Sequence, residues 1–417
     1  MTTRDAPDAA LAAQYEAFPY PARDPREEAK RLIVGSPSHL REIDHWVFGA
    51  RRPAATPLRA LMAGGGSGDG TIMLAQQMTR LGRPGQVTWL DRSAAAKRVA
   101  MARAEARGLT NLAFEEGSLL DLPRSGLGPF DYIDCCGVLH HLPDPAEGLA
   151  ALVSVLAPGG GMGIMVYAPH GRTGVYMLQD ALRLLAPPDQ SPQVRVEIAR
   201  RLWKQTPDTA WLKKNPWIDD HLKGGDAGLY DLLLNPRDVA FTIPQLAHLV
   251  AGAGLRIETL VEPLRYDPDS YLTDPKLRAL TAGLDPVQRA ALAEATCGNM
   301  GIHIAYLTRA EAPPPPRPWG DDAAVPVLRE IDGPLLAKNL RADGVLTVTF
   351  DDLRVPVPLP RLAGAILAKV DGVRSWGEIM AMVAAGGASA EQAARDRIAF
   401  SAAMERMNRL LLAAPVV

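Results

Sequence analysis

The ten residues Leu61-Met62-Ala63-Gly64-Gly65-Gly66-Ser67-Gly68-Asp69-Gly70 join two kinds of sequence pattern. Before them runs the apolar stretch Pro57–Ala63, and after them a helical pattern extends from Thr71 to Leu81. A buried strand, a glycine turn and a helix form the opening of a βαβ unit. Glycines at such a turn let a ligand approach the backbone and leave amide donors exposed. Gly64, Gly66 and Gly68 have the spacing G-x-G-x-G. Asp69 and Thr71 stand where the third glycine of a dinucleotide fingerprint would fall, which disfavours a pyrophosphate cradle and a nicotinamide-dependent oxidoreductase.

Outward from the turn, Gln86–Asp91, Leu112–Glu116, Asp131–Cys136 and Gly163–Ala168 have strand patterns, and Ala94–Arg107 and Pro145–Leu156 helical ones. Further strands are expected at Leu255–Val261 and His303–Thr308, with a helix over Pro275–Thr296. This alternation predicts an α/β fold, a Rossmann-like, mostly parallel sheet with helices on both faces. Residues 1–56 form an N-terminal lead-in, and residues 57–310 the α/β domain. An insertion at 169–240, dense in Trp, Tyr, Asp and His, interrupts that domain after the fifth strand, where open sheets place substrates. Residues 311–322 are a Pro-rich linker, and 323–417 a small α+β, winged-helix-like module.

At 417 residues the chain can bury a substantial core, and 45 Lys plus Arg against 47 Asp plus Glu give a net charge of −2. No global basic field recruits nucleic acid or an anionic membrane. The three cysteines, Cys135, Cys136 and Cys297, offer neither a disulfide framework nor paired metal spacing. Residues 1–25 lack the order of a secretory signal, and no window reaches the ~18 apolar residues of a membrane span. The expectation is a soluble cytoplasmic protein without nucleic-acid or membrane partners; a homodimer is left open.

Asp91 ends the second strand beside the glycine turn, where its carboxylate can accept hydrogen bonds from the vicinal hydroxyls of a ribose. Further on come Gly117-Ser118-Leu119-Leu120, Cys136-Gly137-Val138-Leu139-His140-His141-Leu142-Pro143-Asp144-Pro145 and Pro158-Gly159-Gly160. With these motifs residues 57–310 resemble the class I S-adenosylmethionine-dependent methyltransferases, many of whose small-molecule members carry V-L-H-H-L-x-D-P. The resemblance implies S-adenosyl-L-methionine as cofactor, held by Gly64, Gly66, Gly68, Asp91, Arg92, Ser118, Leu119 and Gly137. It also implies an acidic residue closing the first strand, and neither Leu61 nor Met62 is one. The segment from Gln14 to Arg41 resembles lead-ins that fold over the donor pocket, with Tyr15, Tyr20 and Arg41 as candidates and Arg41 as a cation for the donor carboxylate.

Methyl transfer from a sulfonium needs in-line positioning and exclusion of water, and a base where the acceptor is a hydroxyl or ammonium. His140 and His141 are the candidate bases, one of them open to a purely structural role, and Tyr167 and His170 at the fifth strand's end are candidates to touch the acceptor. Arg172, Tyr176 and Gln179 share a predicted helix face. Arg172, Tyr176, His221 and Tyr230 are the expected acceptor-binding residues. Asp219, Asp220 and His221 carry metal-ligand chemistry, but three adjacent side chains rarely converge on one ion, and no metal site is expected. Val370-Asp371-Gly372-Val373-Arg374-Ser375 resembles peptide-chaperone winged helices. The expected activity is methyl transfer to an oxygen or nitrogen of a small molecule or peptide side chain. The alternative is a catalytically silent adenosyl-ligand-binding scaffold whose C-terminal module binds a peptide or protein.

Overall fold

The structure, a computed structural model, describes residues 11–415 apart from 12, 312, 315 and 316. Seven strands, β1 (Leu58–Ala63), β2 (Gly85–Asp91), β3 (Leu112–Glu116), β4 (Phe130–Cys136), β5 (Leu156–Tyr167), β6 (Leu255–Leu260) and β7 (Ile302–Arg309), form one sheet in the order 3-2-1-4-5-7-6. Strands 1 to 5 pair in parallel, and β7 runs antiparallel to both β5 and β6. The strand order reverses at β1, between β2 and β4, so a crevice opens beyond their carboxyl ends. Helices α1 (Asp69–Arg80), α2 (Ala94–Ala106) and α3 (Pro145–Ser154) follow β1, β2 and β4.

Period-two alternation divides the sheet's core. Leu61, Ile133, Cys135 and Ile164 face Leu149 and Leu152 of α3. Ala60, Met62, Tyr132 and Tyr306 face the other way, against Leu74 and Met78 of α1 and Leu40, Ile43 and Trp46 of the lead-in. Each such large apolar side chain contributes about 1.5–3 kcal/mol on full burial. β5 begins seven residues before the expected Gly163, at Leu156, and a register irregularity between Phe130 and Tyr132 of β4 accommodates the added length.

The insertion folds as helices α4 (Val175–Leu185), α5 (Pro192–Gln205) and α6 (Gly225–Leu233) around a core of their own, and α7 (Ile243–Gly252) packs onto the sheet. The helix expected over Pro275–Thr296 is two, α8 (Pro275–Thr281) and α9 (Pro286–Cys297). Asp285 precedes a proline, which disfavours helical backbone there, and it forms a capping box with Gln288 that starts a new helix.

The C-terminal region comprises β8 (Pro326–Leu328), α10 (Gly333–Asn339), the hairpin β9 (Val345–Phe350) and β10 (Leu353–Pro358), α11 (Ala363–Leu367), α12 (Trp376–Ala385), α13 (Ala390–Arg406) and β11 (Leu410–Leu412), which pairs with β8. Trp376, Phe400 and Met404 centre its core, while Leu411 joins the core of the main sheet. Glu42, fully buried in the lead-in, ties the parts together: it pairs with Arg329 at 2.6 Å and accepts hydrogen bonds from Asn408 at 2.6 Å and Tyr306 at 2.7 Å. Residues 317–322, expected as linker, are pinned in place. Arg317 pairs with Glu405 and lies over the Trp46 ring, and Arg397 binds Asp322 and the Trp319 carbonyl.

Candidate active site

A cavity of about 740 Å³ opens at the strand reversal. Its floor is the glycine turn. Gly64 has φ +82°, and a Cβ there would stand 2.3 Å from Val138 Cγ2, so no other residue fits. The Gly64 and Gly65 amides donate to the Leu90 carbonyl, and the Gly66 amide donates to Asp91 Oδ2 at 2.8 Å. Asp91 Oδ1 accepts from the Ser93 amide at 3.0 Å. Burial raises the Asp91 pKa, and each oxygen keeps a lone-pair site for a ligand hydroxyl. Beside it Leu90, Leu119 and Leu142, with Ser118, make an apolar slot that suits a flat ring, and Gly137 lines the far edge; Arg92 is exposed at the rim.

The lead-in roofs this half. The Pro21 carbonyl accepts from Ser67 Oγ at 2.7 Å, Arg23 grips Asp69, and Glu16 accepts from the Ala95 amide at the start of α2. A buried cluster, Glu28 with Arg103 and Arg107, fastens the lead-in to α2.

The other half is aromatic and acidic. Tyr15 and Tyr167 donate to the two oxygens of Asp231, each at 2.9 Å, and Tyr20 donates to Asp220 at 3.4 Å. Gln14 and Asn235 also donate to Asp231. Burial first, then nearby carboxylate charge, holds the Tyr15 and Tyr167 pKa values far above normal, so both hydroxyls stay protonated. Arg172 lies 3.7 Å over the Tyr167 ring and pairs with buried Asp238 at 2.9 Å. His141 lines the cavity with Nδ1 2.7 Å from the Arg237 carbonyl. A carbonyl can only accept, so Nδ1 carries the proton and Nε2 is a lone-pair acceptor.

Of the residues expected from sequence, Tyr15, Tyr20, Gly64, Gly66, Gly68, Asp91, Arg92, Ser118, Leu119, Gly137, His141, Tyr167 and Arg172 line the cavity. The fold does not bring His140, His170, Arg41, Tyr176, His221 or Tyr230 to its wall. His140 is fully buried, its ring 3.9 Å from Tyr167 and 4.2 Å from His141, with neither nitrogen hydrogen-bonded; burial holds its pKa well below the usual value. Its ring packs behind Tyr167, away from the cavity wall. His170 is exposed, and Arg41 is half-buried on the turn Leu40–Glu42. Tyr176 and Gln179 join Arg172 around Asp238. Tyr230 accepts from Arg195 inside the insertion's core, and His221 packs 4.3 Å from Trp203. Asp219, Asp220 and His221 point apart, to Lys223, Tyr20 and Trp203.

Sequence reasoning placed Trp217, Ile218 and Asp231 in a polar and aromatic lid segment without singling them out, and it missed Asp134 and the rest of the mouth. Asp134 was visible as an acid inside the apolar run Phe130–Cys136. The mouth includes Trp217, Ile218, Arg265, Asn299 and Asp351. Arg265 pairs with Asp351 at 2.8 Å, the Asn299 amide donates to the Phe350 and Asp351 carbonyls, and Trp217 donates to Asp352 at 3.2 Å, so the C-terminal hairpin borders the entrance.

A methyltransferase-domain family model matches residues 61–162. An uncharacterised protein of Synechococcus is 30% identical over 319 residues, 75% of this chain and 74% of that one. The chain belongs to the class I S-adenosylmethionine-dependent methyltransferases. PKMT2 from Rickettsia typhi in complex with AdoHcy shares the methyltransferase fold, with TM-score 0.61 and 16% identity over 90% of this chain and 75% of that one. The ubiquinone biosynthesis O-methyltransferase of Albidiferax ferrireducens is 39% identical over 93 residues, 22% of this chain and 36% of its own. The tRNA 5-carboxymethoxyuridine methyltransferase of Escherichia coli is 37% identical over 115 residues, 27% and 42% of the two chains. S-adenosylmethionine is the cofactor of this methyltransferase, and the glycine turn, the Asp91 carboxylate and the apolar slot fit its adenosine. Among the described residues no helix is long and apolar enough to cross a membrane.

Proposed function

We propose that the acceptor is an amine nitrogen on a small molecule or peptide side chain. The carrying observation is the direction of the tyrosine protons. Tyr15 and Tyr167 both commit theirs to Asp231, so their oxygens offer only lone pairs to the cavity. Such a wall selects a hydrogen-bond donor, and electron-rich ring faces with the nearby carboxylates Asp220 and Asp231 favour a cationic one. The positive side chains on this half are already matched, Arg172 by Asp238 and Arg265 by Asp351.

In this reading Asp91 takes the ribose hydroxyls and Leu119 lies against the adenine. The bound donor supplies a methyl carbon activated by its positive sulfur. Tyr15, Tyr20 and Tyr167 align the amine, and His141 Nε2 accepts the ammonium proton to free the nitrogen lone pair. The new N–C bond then forms as the C–S bond breaks, the electron pair remaining on sulfur. The peptide option is supported by the position of the β9–β10 hairpin tip at the entrance, where Asp351 lines the cavity.

The test is incubation with labelled S-adenosylmethionine and matched acceptors, primary and secondary amines and lysyl peptides against phenols and catechols, read by mass spectrometry. Amines should gain one methyl, and Tyr167→Phe should lower kcat/KM for them by about tenfold or more. Methylation confined to the oxygen acceptors would overturn the reading.

A further inference from the structure

Asp134 sits near the middle of the sheet, on β4, directly opposite Met62 of β1. It is 5% exposed and lines the cavity beside Ser38, Met62, Gly64 and Cys136. Its hydrogen-bond partners are the Ser38 hydroxyl on Oδ2 and the Cys136 amide, at 3.1 Å, on Oδ1. Neither is a cation. Asp69, the other carboxylate beneath the glycine turn, is taken by Arg23 and Arg103. A carboxylate held in a strand interior without a cationic partner is costly, and burial pushes its pKa up to about 6. The cavity wall therefore carries an acceptor for positive charge that no cation among the described residues satisfies.

The donor has one cation besides its sulfonium, the α-ammonium of its methionyl arm. β2, β1 and β4 are consecutive in the sheet, so Asp91 and Asp134 are separated by two strand spacings, roughly 10 Å across the sheet. With the sugar at Asp91 and the adenine in the slot around Leu119, the methionyl arm runs over the glycine turn towards β4, a span that the ribose and homocysteinyl chain cover. We propose that Asp134, oriented by Ser38, binds the α-ammonium of S-adenosylmethionine. This carboxylate comes from the strand beside the one whose end lacks an acid at Leu61 and Met62. The proposal rests on the donor and is independent of the amine-acceptor reading, because its test contains no acceptor.

Titration calorimetry on the full chain decides it. Asp134→Asn should weaken binding of S-adenosylhomocysteine by roughly tenfold to a hundredfold, the range for a hydrogen bond to a charged group. The same variant should bind 5′-methylthioadenosine, which has no aminocarboxypropyl arm, within about twofold of the unaltered protein. Equal losses for both ligands, or a loss for neither, would overturn the proposal. A second measurement needs no variant: against the unaltered protein, an S-adenosylhomocysteine analogue lacking only its amine should bind about tenfold or more weakly than the parent. Equal affinity of the two would likewise overturn it.

Discussion

His140 and His141 are neighbours in sequence and opposites in environment. Successive positions of one 3-10 turn, Leu139–His141, send one ring behind Tyr167 and the other to the cavity wall, with only the second holding a hydrogen bond. Replacing His141 with Ala should lower kcat by about a hundredfold, the usual scale for loss of a positioned base, with donor affinity in calorimetry unchanged. Replacing His140 with Ala removes a buried ring and should cost roughly 2–4 kcal/mol in urea unfolding. Asp134 makes a stability prediction of the opposite sign. Its folded pKa of about 6 lies above the ordinary carboxylate value because of burial. At this carboxyl the native state binds more protons than the unfolded chain, so the contribution of Asp134 to stability falls as pH rises from about 4 to about 6. Its packed neighbours Ser38, Tyr132, Cys135 and Cys136 are uncharged over that window, and Asp44, also pushed up to about 6 by burial, is common to variant and parent, so the difference between the two belongs to Asp134. Thermal melts without ligand should show Asp134→Asn matching the parent at about pH 4 and exceeding it by on the order of 2 kcal/mol at neutral pH.

Among the elements, the lead-in has the largest consequence for the site. It supplies Tyr15 and Tyr20 to the aromatic half of the cavity, covers the glycine turn with Pro21 and Arg23, and is anchored further out by Glu28 with Arg103 and Arg107. Glu28 and Arg103 are both nearly inaccessible to water. Glu28→Ala removes the carboxylate shared by Arg103 and Arg107 while leaving Asp69 to Arg103, so it should cost about 1.5–3 kcal/mol in denaturant unfolding. The same variant should weaken donor binding although it touches no ligand, a change that calorimetry reads directly. The insertion illustrates the reverse case. Its aromatic and polar density looked like a binding surface; much of it builds a helical core, while Arg172, Trp217, Ile218, Asp220 and Asp231 reach the cavity.

Across the whole molecule, the C-terminal region is continuous with the catalytic one. Leu411 enters the sheet's core, Glu42 bridges Arg329, Asn408 and Tyr306, and the tip of the β9–β10 hairpin borders the entrance. Calorimetric unfolding should therefore show one cooperative transition, and Glu42→Ala, which strands Arg329, should lower it for both regions together; two separable transitions would contradict this coupling. The composition of residues 311–322 predicts a linker, but proline content carries no information about Glu405, Trp46 or Arg397, the distant partners that hold Arg317 and its described neighbours.

Local chemistry wrote the sheet, its helices, the glycine turn and Asp91 into consecutive residues, because strand alternation, capping and positive-φ glycines act over a few positions. The donor half of the site was legible for that reason. The acceptor half assembles from Tyr15, Tyr20, Tyr167 and Asp231, segments up to 216 residues apart, and no short-range pattern encodes which of two adjacent histidines faces a cavity. Burial and long-range contacts are properties of the packed molecule; burial lowers the His140 pKa and raises that of Asp134, and the distant Asp231 sets the direction of the tyrosine hydrogens.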